Sequence, residues 1–243
     1  MQNNTPMDFS LRISALSPFR LLFRLMKKFR PALVRELIGD EFVRQTDNYG
    51  NLTWLGNPIW QNVSDLWVIQ EVISTLRPSL VIETGTNLGG SSLFYAHLMD
   101  LLGEGSIITV DMKKLHDLSH PRITYCLGSS TSPEVLSKVS EAAFKNTGPL
   151  LVILDSDHSE EHVFRELQCY HPFVTTGSYL LVQDGIIDTL PRFAAARPGP
   201  LPAIKRFLSE HPEFQVDEKL CGKFPVSHHP IGWLRRIHPA SPA

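Results

Sequence analysis

The sequence predicts a doubly wound α/β domain on a mostly parallel, seven-stranded sheet. Three observations predict it. From Val63 onward, short apolar runs alternate with helical stretches. The runs are rich in Val, Ile and Leu and apolar on both faces, as strands buried in a parallel sheet are. The first run leads straight into a glycine-rich turn, and α/β sheets of this kind bind ligands at the carboxyl ends of their strands.

Val63, Leu66, Trp67, Gln70, Val72 and Ile73 suit an amphipathic helix over Val63–Leu76, ended by Pro78. Strands are expected at Leu80–Glu83, Ile107–Asp111, Ile123–Leu127, Leu150–Asp155 and Tyr179–Asp184. Helices fill Ser91–Leu102, Pro133–Ala143, Glu160–His171 and Leu201–Glu210 between them, and Phe214–Val216 and Ile231–Ile237 read as closing edge strands.

The chain of 243 residues is long enough for one sizeable core, so residues 61–243 read as a single domain behind an N-terminal arm, 1–60. A formal net charge of -2 carries no bias toward nucleic acid, and none is expected as a partner. Cys126, Cys169 and Cys221 are far apart, odd in number and without metal spacing, which fits a reducing cytoplasm. No apolar run is long enough to cross a bilayer.

Pro18, Pro31, Gly39, Gly50, Gly56 and Pro58 punctuate the arm, which reads as irregular. Between Leu11 and Arg35 it holds seven basic residues and no acidic one, with Phe19, Leu22, Phe23 and Met26 interleaved at helical spacing. Two readings stand side by side: a helix on an anionic membrane surface, placing the protein peripherally at the inner membrane face, or a basic arm packing on its own domain or a second subunit. The arm suits subunit contacts, and a homo-oligomer is the expectation.

The strand ends carry the chemistry. The first leads into Glu83-Thr-Gly-Thr-Asn-Leu-Gly-Gly-Ser-Ser92. Gly85, Gly89 and Gly90 permit close approach to the backbone, and the following helix start offers unpaired N–H groups. Dinucleotide folds place G-x-G-x-x-G here; this spacing is G-x-x-x-G-G, with Glu83 on the strand. A carboxylate there disfavours a pyrophosphate and suits a cationic or zwitterionic ligand such as a sulfonium amino acid. Asp111 ends the second strand, placed to accept from ribose hydroxyls, a feature shared by nicotinamide and S-adenosylmethionine sites and also consistent with a cap. Ser129 lies in a turn that could reach adenine. The fourth and fifth strands deliver Asp155 and Asp184 to one sheet edge, where two like charges need a proton or a hard cation such as Mg²⁺, unless each merely caps a turn. His158 follows three residues after Asp155 and could take a proton from a hydroxyl, or cap the next helix.

The run Glu83–Ser91, with Val110-Asp111, Leu154-Asp-Ser-Asp-His158, Val182-Gln-Asp184 and the tail from Gly222 to Ile237, resembles the cephalosporin hydroxylase / rhamnosyl O-methyltransferase family. The resemblance covers roughly Asp65 to Ile237. It implies a Rossmann-like class I methyltransferase fold, an S-adenosylmethionine site built from Glu83, Gly85, Thr86, Asn87, Gly89, Ser91, Asp111, Ser129 and Asp155, and a divalent metal, Mg²⁺, on Asp155, Gln183 and Asp184. It implies His158 as general base and a sugar, glycan or natural-product hydroxyl as acceptor. One position departs from the pattern: the family often has an acidic residue where this chain has Gln183, whose amide can bind Mg²⁺ but brings no charge. An iron facial triad has no counterpart here. The alternatives are a methyltransferase-fold partner subunit without activity, which Gln183 favours, and a nicotinamide-dependent oxidoreductase, which the glycine spacing disfavours.

Overall fold

The computed structural model describes residues 18–46 and 52–239. In chain order it contains α1 (Pro18–Phe29), α2 (Pro31–Thr46), a small hairpin β1 (Thr53–Trp54) and β2 (Asn57–Pro58), α3 (Val63–Leu76), β3 (Leu80–Thr84), α4 (Gly90–Leu102), β4 (Ser106–Asp111), β5 (Ile123–Leu127), α5 (Pro133–Phe144), β6 (Leu150–Leu154), α6 (Glu160–Tyr170), β7 (Tyr179–Val182), α7 (Pro200–Glu210), β8 (Phe214–Val216), α8 (Glu218–Cys221) and β9 (Trp233–Arg236). Short 3-10 turns cover Gly185–Asp188 and Pro191–Ala196.

The main sheet has seven strands in the order β5-β4-β3-β6-β7-β9-β8. The five on the β5 side are parallel, and β9 runs antiparallel to both its neighbours. This is the expected sheet, with both closing strands in place. The chain leaves β3 toward β4 and later returns to its other side at β6, which opens a crevice above β3 where the winding reverses. Alternation along the buried strands splits the core in two. Leu80, Ile82, Val152 and Leu154 pack under α5, α6 and α7; Val81, Leu151, Ile153 and Leu181 pack under α3 and α4.

Helix α3 spans the expected residues, but its buried face is Val68, Ile69, Val72 and Ile73, with Asp65, while Val63 and Trp67 are turned to solvent. The side chain of Asn62 caps its first turn. The arm differs more. Where its prolines read as breaks, Pro18 and Pro31 each open a helix, the one position where a missing N–H costs nothing. Of the basic stretch, residues 11–17 lie outside the described residues. Val43 of α2 is fully buried against Ile186 and Leu190.

Candidate active site

Strand register builds the site. Thr84 pairs with Val110 and Leu154, and Leu154 pairs with Val182. Gly85, Asp111, Asp155 and Gln183 therefore emerge next to one another at one sheet edge. Gly85 sits at φ +88, and a Cβ on it would lie 1.8 Å from the carbonyl oxygen of Asp155. Only glycine lets β3 and β6 diverge this closely, and the gap becomes the floor of a cleft of about 760 Å³.

The cleft is lined by the loop after β3 (Gly85, Thr86, Asn87), by Ser91 in the first turn of α4, by Asp111, by Ser129 and Ser130, and by Asp155, His158 and Asp184. One Asp111 oxygen accepts from the Asn87 backbone N–H at 2.8 Å, and the other from that of Lys113 at 3.1 Å. These bonds fix its carboxylate at the cleft wall with further lone pairs to offer. Ser129 also lines the cleft, its hydroxyl 3.4 Å from that of Thr131.

Asp155, His158 and Asp184 converge, with one ligand atom from each inside a 4.8 Å sphere of mutual distance. Asp184, at φ +55, has Oδ2 3.1 Å from His158 Nε2 and Oδ1 3.4 Å from His228 Nδ1. Its backbone N–H donates to His229 Nδ1 at 3.2 Å. Burial pushes the Asp184 carboxyl up, but the imidazoles of His158 and His228, then His229, outweigh burial and hold it well below the usual carboxylate range. Asp155 goes the other way: burial and then the Asp184 charge push it well up. Of these two neighbouring carboxyls, Asp184 is thus held ionised while Asp155 favours its protonated form.

Three expected site residues are not on the cleft wall. Glu83 shares the sheet face of Val81, which points it beneath α4. There it is fully buried and accepts from Ser91 Oγ at 2.6 Å, Thr109 Oγ1 at 2.6 Å and the hydroxyl of Ser92. It braces the glycine loop from below, and burial raises its carboxyl while the three hydroxyls oppose that. Gly89 is the residue before α4 and faces His116 and Leu118. Gln183 is 2% exposed, on the face of Leu181, and its Oε1 accepts from Gln61 Nε2 at 2.8 Å.

Other residues of the site lie outside the strand-end motifs. Gln61, on the segment between β2 and α3, also donates from Nε2 to Asp155 Oδ2 at 2.7 Å. His228 and His229 reach Asp184 because buried Asp65 of α3 accepts from Ser227 Oγ at 2.7 Å and from the His228 N–H at 2.8 Å. The paired histidines just before β9 were a visible signal of a titratable cluster; Gln61 gave none.

A glycine loop at the winding reversal, an acidic residue ending the second strand and an Asp-His-Asp cluster beside them define, with this sheet order, an S-adenosylmethionine-dependent O-methyltransferase. The family described as Rhamnosyl O-methyltransferase/CmcI matches residues 47–237. A protein named rhamnosyl O-methyltransferase from Mycobacterium bovis (strain BCG / Pasteur 1173P2) is 36% identical over 201 residues, covering 77% of this chain and 81% of its own. A solved structure of CmcI in its apo form superposes with a TM-score of 0.62 at 20% identity, over 79% of this chain and 78% of that one. A second CmcI structure, described as carrying Mg and SAM, gives 0.60 at 19% identity over the same shares. The chain belongs to the rhamnosyl O-methyltransferase/CmcI family.

Proposed function

We propose that the chain methylates a hydroxyl of a sugar, with a deoxysugar such as a rhamnosyl unit as the acceptor class, using S-adenosylmethionine and Mg²⁺. The observation that carries this reading is the convergence of Asp155, His158 and Asp184 on the cleft that the glycine loop and Asp111 line. The relative's name supports the acceptor class, and the CmcI structure with Mg and SAM supports the two ligands.

The residues fit both ligands. Asp111 can accept the ribose hydroxyls, the turn at Ser129 can flank adenine, and the N–H groups at the start of α4 can face the amino-acid end. Two carboxylates with a raised and a lowered affinity for protons suit a hard cation, and Asp155 and Asp184 would hold it. When bound, such a cation lowers a hydroxyl's pKa and fixes its orientation. Gln183 would have to turn its oxygen away from Gln61 to join them.

The chain's own task is positional. The methyl group is already activated on sulfur, so the rate depends on holding the acceptor oxygen against it. His158 takes the proton that the hydroxyl loses, at Nδ1, because its Nε2 faces Asp184. Asp184, 3.1 Å away, stabilises the imidazolium that results, and His228 behind it holds that carboxylate in place. Mass spectrometry of a rhamnoside incubated with S-adenosylmethionine tests the reading: a gain of one methyl on a sugar hydroxyl supports it. Binding of S-adenosylhomocysteine without transfer to any sugar would remove the acceptor class and leave the fold.

A further inference from the structure

Helix α1 stands apart from the domain. Among the described residues its substantial contacts are with α2 alone, while α2 is anchored by Val43 against Ile186 and Leu190, close to the cleft wall that Ile186 helps to form. Leu21, Leu22, Phe23, Leu25 and Phe29 are 44% to 68% exposed, a concentration of apolar surface that soluble monomers rarely leave uncovered. Successive helical residues turn by about 100°, so Arg20, Arg24, Lys27 and Lys28 fall within an arc of about 100° and the apolar side chains fill the other side. No acidic residue interrupts either face. Among the described residues only α2 packs substantially on α1, and most of its apolar face stays open.

We propose that α1 docks on the surface of an anionic lipid bilayer, its apolar face entering the headgroup boundary and its four cations meeting the lipid phosphates. Charge complementarity selects this occupant. A nucleic acid would use the cations and leave the apolar face in water. A second copy would need an acidic surface to meet the basic arc as well as an apolar one to meet the other. A bilayer of anionic lipid satisfies both faces of one short helix, because long basic side chains reach back to the headgroups while the apolar ones enter. No helix of the described residues is long and apolar enough to cross a membrane, so the contact is peripheral. The inference is independent of the acceptor proposed above.

Vesicle sedimentation with the full chain tests it, using phosphatidylcholine vesicles with and without phosphatidylglycerol. The protein should pellet with the anionic vesicles, stay in solution with phosphatidylcholine alone, and be released by high salt. The double variant Lys27→Gln/Lys28→Gln should weaken partitioning by roughly thirtyfold. Leu22→Asp/Phe29→Asp should abolish it without moving the melting temperature, because both side chains are exposed. Failure of the wild type to pellet with anionic vesicles would overturn the proposal, as would partitioning that neither variant changes. Sedimentation velocity without lipid provides the other contradiction: if Leu22→Asp/Phe29→Asp dissolves a dimer while vesicle binding is untouched, α1 serves a second copy.

Discussion

The side-chain amide of Gln61 donates to the amide oxygen of Gln183 at 2.8 Å, and the same nitrogen reaches Asp155. This pairing occupies the Gln183 oxygen without a charge at the position and leaves its buried Nε2 without a hydrogen-bond partner among the described residues. A carboxylate there could keep the Gln61 bond and add a negative oxygen beside Asp155. Gln183→Glu should therefore tighten Mg²⁺ binding by about tenfold or more in calorimetry, since hard cations favour charged oxygen. In chelator the same variant should melt lower than the wild type, because like charges then crowd together. Unchanged affinity would place residue 183 outside the metal's reach.

His158→Ala should leave S-adenosylhomocysteine binding nearly unchanged and lower kcat by roughly a hundredfold or more, the usual contribution of a positioned base. The deficit should shrink at high pH, where solvent base or ionised acceptor substitutes. Asp184→Asn should reduce turnover and metal binding together. Stopped assays across pH with a fixed acceptor separate the two effects, and a pH-independent rate equal to wild type in His158→Ala would remove His158 from the proton path.

Asp65 organises the site from a distance. It is 2% exposed and accepts from both Ser227 and the His228 backbone. Asp65→Ala leaves the buried His228 N–H and the part-buried Ser227 hydroxyl without that acceptor, at a cost of about 3 kcal/mol in urea unfolding. It should also free the loop that carries His228 and His229, so turnover should fall further than stability alone explains. Asp65→Asn, which keeps one acceptor, should recover part of each.

His162 gives a pH signature outside the metal cluster. Its hydrogen bond to Glu166 holds the imidazole above its ordinary value; burial opposes this, and the Glu166 charge adds to it. A histidine raised in the folded state contributes stability that is fully present below about pH 6.5 and is lost as pH rises through the folded value. The melting temperature of the wild type should therefore fall relative to His162→Gln over that interval. Parallel curves for the two proteins would show that the pair carries no net linkage.

The sheet was legible in the sequence because its central strands, Leu80–Thr84 and Leu150–Leu154, are buried on both faces and read as continuous apolar runs; the more exposed Ile123–Leu127 and Phe214–Val216 also lie where expected. Thr86, Asn87, Ser91, Asp111, Ser129, Asp155, His158 and Asp184 line the cleft because motif residues directly after strands share one edge. Glu83 lies off the cleft wall, since alternation after Val81 sends it under α4, where three hydroxyls from two elements meet it. Gln61 and Asp65 act across 94 and 162 residues of chain on Asp155 and Ser227, and no local pattern encodes such a separation. The arm was misjudged as irregular because a proline at a helix start and a proline that ends structure look alike until the following turn is seen.

Methyl transfer to a rhamnoside, followed by mass spectrometry with Mg²⁺ and then with chelator, tests the central claim most directly. The account predicts an O-methylated sugar that forms with S-adenosylmethionine and Mg²⁺ and whose rate collapses on chelation. Transfer at an undiminished rate in chelator would contradict the metal role of Asp155 and Asp184, and no methylated sugar under either condition would contradict the proposed acceptor.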